Sequence, residues 1–216
     1  DRIEEGHKKQ EFFLATSAHE LRTPLTILRA RIEELDNDEI KVELLDDIHN
    51  MSNLVDQLLR LTHLQSVVDP MKGEINLFEL TEEVCANRAV LAINKNVELV
   101  LKSKSTNVTV IGEKGMLALA ISNIIDNAIA VSESGQVIEV NINDTGEIQI
   151  RDYGPGIPEE MQNSLFDPFA KDPSNQLGHG LGLAIVDAIL KLFDGSIEFE
   201  TSANHGTTFT LKFSAP

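Results

Sequence analysis

Basic residues are scarce in this sequence: 18 Lys and Arg stand against 35 Asp and Glu, a formal charge of -17. Such a chain is repelled by nucleic acid and by anionic membrane surfaces, so neither is expected as a ligand. The one cysteine, Cys85, excludes an internal disulfide. It falls in an apolar-periodic segment and reads as a small buried hydrophobe in a protein of a reducing compartment. No stretch approaches the roughly 18 apolar residues of a membrane span, and no charged, apolar and small leader opens the chain, so we expect a soluble protein. Internal repeats and low-complexity segments are also missing. What is present is ordinary for a globular protein of one large or two modest domains: 216 residues, 42% hydrophobic and 25% charged. The opening "DRIEEGHKKQEFF" is already in helical pattern without a start signal, and a preceding segment is expected.

From Leu14 the apolar positions run through Ala18, Leu21, Leu25, Leu28, Ile32 and Leu35 at alternating spacings of four and three, a heptad seam. "DND" at 36–38 is a turn and N-cap signal, and a second helix follows with Leu44, Ile48, Met51, Val55 and Leu58 on one stripe. Leu45, Leu54, Leu59 and Leu61 widen that stripe beyond the reach of one partner helix. An antiparallel hairpin cannot cover so broad a surface alone, which points to a dimeric four-helix bundle; the alternative is packing on the rest of its own chain. "VVDPMKGEIN" at 67–76 breaks the periodicity and marks a domain boundary near residue 70. Beyond it the pattern predicts a helix over 77–94, strands in "VELVLKS" and "NVTVIG", and a long helix over 113–131. A hairpin of "VIEVNIND" and "EIQIRD" follows, then a glycine-rich stretch, a helix over 181–193, and the strands "SIEFET" and "GTTFTLKF". This order suggests a two-layer α/β sandwich with a mixed sheet.

Three features of the second region carry chemistry. In "NIIDNA", Asn123 and Asn127 share one helix face, and two amides aimed the same way suit a hydrated divalent cation that keeps most of its waters. In "RDYGPGIP", Asp152 ends a strand while Gly154 and Gly156 open a turn. A carboxylate there can accept from an exocyclic amine such as that of adenine, although Asp, Gly and Pro are also plain turn residues. In "GHGLGLAIV", Gly178, Gly180 and Gly182 precede an apolar helix whose N-terminus suits a phosphate chain. It is not a dinucleotide fingerprint, which must follow the first strand of a parallel βαβ unit, nor a Walker A loop, which needs Gly-Lys-Ser/Thr.

The series "NIIDNA", "DYGPGIP", "LFDPF" and "GHGLGL" resembles the asparagine, first glycine, phenylalanine and second glycine boxes of the GHKL ATP-binding domain shared by histidine kinases, gyrase and MutL. "AHELRTPLT" is similar to the phosphoacceptor box of sensor histidine kinases, and the resemblance covers nearly the whole chain. It implies a dimerisation and histidine phosphotransfer domain over 1–68, a linker over 69–76, and a catalytic ATP-binding domain of the Bergerat fold over 77–216. It implies that His19 accepts the γ-phosphoryl group of ATP, with Glu20 orienting the imidazole and withdrawing its proton. The chemistry is sound, since a neutral imidazole nitrogen is nucleophilic near neutral pH. His19 directly follows seam residue Ala18 and so flanks the bundle, and Pro24 removes a backbone hydrogen bond beside it. Glu20 with Thr23 matches members that dephosphorylate their response regulator. By the same resemblance Asn127 holds Mg²⁺, Asn123 meets the phosphates or their water shell, and Asp152 with Gly154 and Gly156 reads adenine. Gly178, Gly180, Leu181 and Gly182 form the hinge and phosphate side of a lid, with Phe166 and Phe169 seating its near end.

The sequence also departs from that pattern. Ala130 and Val131 stand where many relatives carry a lysine and an aromatic or histidine contact to nucleotide, and Pro168 stands near the usual arginines. Lys171, the only Lys or Arg between Arg151 and Lys191, is then expected to neutralise phosphate charge. The expected partners are a second copy and the receiver domain of a response regulator, in the cytoplasm, with the full-length protein anchored in the inner membrane by family habit. The alternatives are a degenerate kinase that acts as a phosphatase or scaffold, and a gyrase-like ATPase. The last is disfavoured because Asn123 stands where those enzymes carry a water-activating glutamate.

Overall fold

The computed structural model describes residues 25–30, 32–33, 38–67, 69–170, 180–203 and 205–215. The chain divides into two compact units between Val68 and Asp69.

In the first unit, α1 is helical over residues 25–30 and 32–33, and α2 spans Asp38–Ser66. Lys41 Nζ donates to the Glu33 carbonyl at 2.6 Å, tying the start of α2 to α1. Leu25 and Val55 are buried together with Leu59 against them, the pairing expected of an antiparallel hairpin. The seam is covered unevenly. Leu25, Ile48 and Val55 are buried, whereas Leu28 is 48% and Met51 53% exposed, and Ile27, Ile40 and Val42 are exposed as well.

In the second unit the segment read as a linker contains β1, Gly73–Asn76, paired antiparallel with β3, Thr109–Gly112. Asn76 closes β1 and caps α3, Leu77–Asn94, accepting from the Glu79 N–H at 3.1 Å. β2 (Glu98–Ser103) and β3 are neighbours in sequence but belong to different sheets. β2 instead pairs parallel with β4, Val137–Ile142, so α4, Lys114–Val131, lies inside a crossover between parallel strands. Glu113 caps α4 through the N–H groups of Gly115 and Met116.

β5 (Glu147–Arg151) returns antiparallel to β4 through a turn in which Asn143 Oδ1 accepts from Thr145 and Glu147 N–H and Gly146 sits at φ +82°. The short α5 (Glu159–Gln162) and then α6 (Gly182–Leu192) follow, and β6 (Ser196–Ser202) with β7 (Gly206–Lys212) closes the mixed sheet in the order β2-β4-β5-β7-β6. The two-layer arrangement with a mixed sheet is therefore the one observed.

One sheet face is apolar and packed: Ile138, Val140, Ile148, Ile150 and Leu211 are buried, as are Leu117, Ile121, Ile124 and Ile125 of α4 and Ile185, Ile189 and Leu190 of α6. Glu139, Asn141, Gln149, Arg151, Thr208 and Thr210 alternate onto the other face. By length and composition α4 is apolar enough to cross a membrane, contrary to the expectation that no segment is; here its apolar residues serve as core. Arg88 of α3 grips Asp126 of α4 with Nε and Nη2 at 2.7 and 3.1 Å, and Lys95 Nζ bonds the Ile129 and Ala130 carbonyls at the negative end of α4. Leu117 is fully buried, so Leu117→Ala is expected to destabilise by about 2–5 kcal/mol. Met71, 83% exposed, should tolerate alanine with little change. Chemical denaturation midpoints of the two variants check the contrast.

Candidate functional site

α4 presents Asn123 and Asn127 one turn apart on the side left free by its core face. The amide Nδ2 of Asn123 donates back to the Leu119 carbonyl at 2.8 Å, which fixes the side chain and leaves Oδ1 directed away from the helix axis. α6 begins directly over these oxygens. A Cβ at position 182 would lie 3.0 Å from Asn123 Oδ1 and 3.9 Å from Asn127 Oδ1, so glycine there lets backbone approach both amides. Leu181, the N-cap position, offers no side-chain capping bond to the first-turn N–H groups of α6, which lie beside two oxygen acceptors. A cluster of oxygens at the positive end of a helix is chemistry for a phosphate chain with a hard cation.

At the other end of the same side of α4, Val131 meets the turn that carries Asp152. A Cβ at position 154 would lie 3.0 Å from Val131 Cγ2 and 3.1 Å from its carbonyl oxygen. Gly156, at φ +81°, comes close enough to β6 that a Cβ would be 2.6 Å from the Ser202 carbonyl. Asp152 is only 4% exposed. Its Oδ1 accepts from the Gly154 N–H at 2.9 Å and the Thr207 N–H at 3.2 Å, while Oδ2 accepts no hydrogen bond among the described residues. One oxygen anchors the carboxylate to the fold, and the other is available to an amine donor. Burial pushes this carboxyl above its ordinary value of 3.8; the N–H bonds from Gly154 and Thr207 oppose the rise.

The expected site residues divide accordingly. Asn123, Asn127, Gly182, Gly154 and Asp152 are gathered along one side of α4, Gly156 lies against β6 instead, and Leu181 is fully buried at the start of α6. Phe166 is an aromatic of the sheet side: its ring stands edge-on to Phe199 at 6.0 Å, and Phe199 lies 6.2 Å from Phe209. Phe169 is 57% exposed at φ +67°, and its N–H donates to the Gly180 carbonyl at 2.8 Å. Gly180, itself at φ +71°, lies so near that a Cβ would come within 2.9 Å of Phe169 Cα. His19, Glu20, Thr23, Lys171 and Gly178 lie outside the described residues.

Thr207 is a site residue that the sequence reading treated only as strand. It meets Asp152 because β5 and β7 pair, with Arg151 opposite Thr208. Thr201 completes the corner, its Oγ1 accepting from the Ile157 N–H at 2.9 Å and lying 3.1 Å from Thr207 Oγ1. No local sequence signal announces either partner, because the link spans β5 to β7.

The raised carboxyl of Asp152 sets a sign for stability. Its ionised form costs native-state stability above the folded-state pKa, and that cost is removed as pH falls below it. Asp152→Asn keeps an acceptor for the two N–H groups without the buried charge. Its thermal midpoint at neutral pH is therefore expected to match or exceed that of the wild type, with the difference closing as pH falls through the raised value toward 3.8. Thermal melts across that window check it.

Comparison with known proteins agrees with this geometry. A family model described as the His Kinase A (phospho-acceptor) domain matches residues 9–67. A second, described as histidine kinase-, DNA gyrase B-, and HSP90-like ATPase, matches residues 112–216. The chain is 32% identical over 213 residues to the heme sensor protein HssS of Staphylococcus haemolyticus (strain JCSC1435), covering 94% of this chain and 46% of that protein. It is 31% identical over 215 residues to the sensor protein QseC of Salmonella typhi, covering 95% and 48%. The chain thus spans about half the length of these curated relatives. Among solved structures, the Acinetobacter baumannii histidine kinase AdeS matches with TM-score 0.67 and 28% identity over 91% of this chain and 98% of that one. Full-length ShkA in complex with AMPPNP, at TM-score 0.75 and 22% identity over 94% of this chain and 46% of that one, shares the fold. The phospho-acceptor and ATPase matches follow one another along the sequence, and the second contains the amide pair, the buried carboxylate and the close-approach glycine: the chain belongs to the sensor histidine kinases.

Proposed function

We propose that this chain is the catalytic core that moves the γ-phosphoryl group of ATP to His19 and onward to an aspartate of a response regulator receiver domain. The observation that carries the reading is the placement of the Asn123 and Asn127 oxygens against the start of α6, with the single free oxygen of Asp152 beyond Val131 on the same side. In this reading the phosphates lie at Asn123 and Asn127 and the adenine lies further along the same face, beyond Val131. In the transfer, a neutral imidazole nitrogen of His19 bonds to the γ-phosphorus as the bond to the bridging oxygen breaks. ADP leaves with that electron pair, and Glu20 takes the ring proton.

Hard oxygen donors, with no sulfur or imidazole beside them among the described residues, suit Mg²⁺, and Asn127, with Asn123 beside it, would hold it. When bound, the ion neutralises charge on the phosphates. The chain's own residues align the nucleotide: Asp152 accepts from the adenine amine, Gly182 admits the phosphates close to backbone N–H groups, and Lys171 adds a cation. The remaining residues assigned to the lid are Gly178, Gly180 and Leu181, with Phe169 tied to Gly180 at its base.

The exposed Ile27, Leu28, Ile40, Val42 and Met51 of the helical unit support assembly with a second copy as a four-helix bundle. The domain assignment follows: phosphotransfer over 1–68, with the strand-bearing segment from Asp69 joining the ATP-binding unit. A cytoplasmic location is supported by likeness to the cytoplasmic segment of histidine kinase QseC, which matches at 25% identity and TM-score 0.54 over 76% of this chain. Glu20 and Thr23 further support removal of phosphate from the receiver.

Incubation with γ-labelled ATP and Mg²⁺ tests the assignment. Wild type should carry an acid-labile, base-stable phosphate, His19→Gln should carry none, and Asn127→Ala should lose at least about tenfold in labelling rate through loss of a metal donor. Absence of label on wild type across ATP concentrations overturns the kinase reading.

A further inference from the structure

The loop that leaves α4 and enters β4 ends at Gln136, whose side chain bonds in two directions. Oε1 accepts from the Glu133 N–H at 2.8 Å, and Nε2 donates to the Tyr153 carbonyl at 2.9 Å. Its backbone is fixed as well: the Gln136 N–H donates to the Glu133 carbonyl, and its own carbonyl accepts from the Glu98 N–H. Tyr153 is the residue between Asp152 and Gly154, so the Tyr153 carbonyl and the Gly154 N–H are opposite ends of one peptide unit. That unit is planar and trans, with no cis bond in the described chain, and holding its carbonyl fixes the direction of its N–H. The N–H in question donates to Asp152 Oδ1 at 2.9 Å.

The tyrosine side chain adds a second restraint. Arg151 lies 4.8 Å from the centre of its ring, and Tyr153 Oη donates to Glu139 Oε2 at 3.4 Å, while Glu139 is held in turn by Lys102 at 2.9 Å. Tyr153 is therefore gripped by its ring and by its carbonyl, but only the carbonyl grip acts on the plane that meets Asp152.

We propose that Gln136 is a positioning residue for adenine recognition: through one peptide plane it aims the Gly154 N–H at Asp152 and so keeps Asp152 Oδ2 turned toward the ligand. The inference rests on the nucleotide reading given above and adds a residue outside the glycine and asparagine motifs. Without the donor, the Tyr153–Gly154 plane is free to rotate, and the carboxylate loses one of its two N–H anchors. Purine binding then weakens while the phosphate end, at Asn123 and Gly182, is untouched.

Gln136→Glu keeps an acceptor for the Glu133 N–H and removes the donor to Tyr153 but adds a negative charge, and Gln136→Ala removes the donor without that charge. Calorimetric titration of the 216-residue chain with ADP and, separately, with inorganic tripolyphosphate gives the readout. Gln136→Glu and Gln136→Ala should each weaken ADP binding about five- to tenfold, the worth of one lost hydrogen bond, and leave tripolyphosphate binding within about twofold of wild type. ADP binding by Gln136→Glu equal to that of wild type overturns the proposal, as does equal weakening of both ligands. A wild-type chain that binds ADP no more tightly than tripolyphosphate overturns the adenine reading itself, and the proposal with it.

Discussion

α4 must be core and active surface at once. Leu117, Ile121, Ile124 and Ile125 are buried completely, and the helix contributes to packing with α3, α6 and the sheet. The polar positions left to it are therefore few and their directions are fixed by how the apolar ones dock. Asn123 and Asn127 point as they do because rotating the helix to move them would expose isoleucines, at roughly 25 cal/mol for each Å² of apolar surface returned to water. The Arg88 fork on Asp126 and the Lys95 ammonium on the last carbonyls lock the same rotation from the α3 side. Placement of the site thus follows from packing of the core, and no separate scaffold is required.

Much of this was readable from the residues. The helices over 77–94 and 113–131 follow from apolar periodicity and appear as α3 and α4, each started by a side chain, Asn76 or Glu113, that satisfies first-turn N–H groups. The β4–β5 hairpin was legible because Asn143 and Gly146 supply turn chemistry between alternating strands. β1 was hidden. "GEIN" is a short run beside a proline and reads as a breaker, and its pairing with β3 depends on a partner beyond an entire helix. α4 misleads in the other direction, since mean hydropathy cannot distinguish a helix surrounded by protein from one surrounded by lipid.

The site itself was legible as a set of residue types but not as contacts. Motif spacing indicated that Asn123, Asn127, Asp152 and the glycines act together; it could not supply Thr207 or Gln136, which reach Asp152 through strand pairing and a loop amide. Phe166 shows the same limit. Its motif position names the residue but not its contact, an edge-on packing against Phe199 of the sheet that only the fold supplies.

The hydrogen bond between the Thr207 N–H and Asp152 has a consequence for synthesis of the chain. Its two ends are 55 residues apart, and its donor lies in β7, which is synthesised after the other strands of this sheet. Until β7 docks between β5 and β6, the carboxylate has neither that anchor nor the wall that buries it. The helices and the β4–β5 hairpin are available earlier, so a nascent chain can place its two asparagines before the Asp152 carboxylate is anchored and walled in. In the reading proposed above, the adenine end of the site is therefore the last part of it to form.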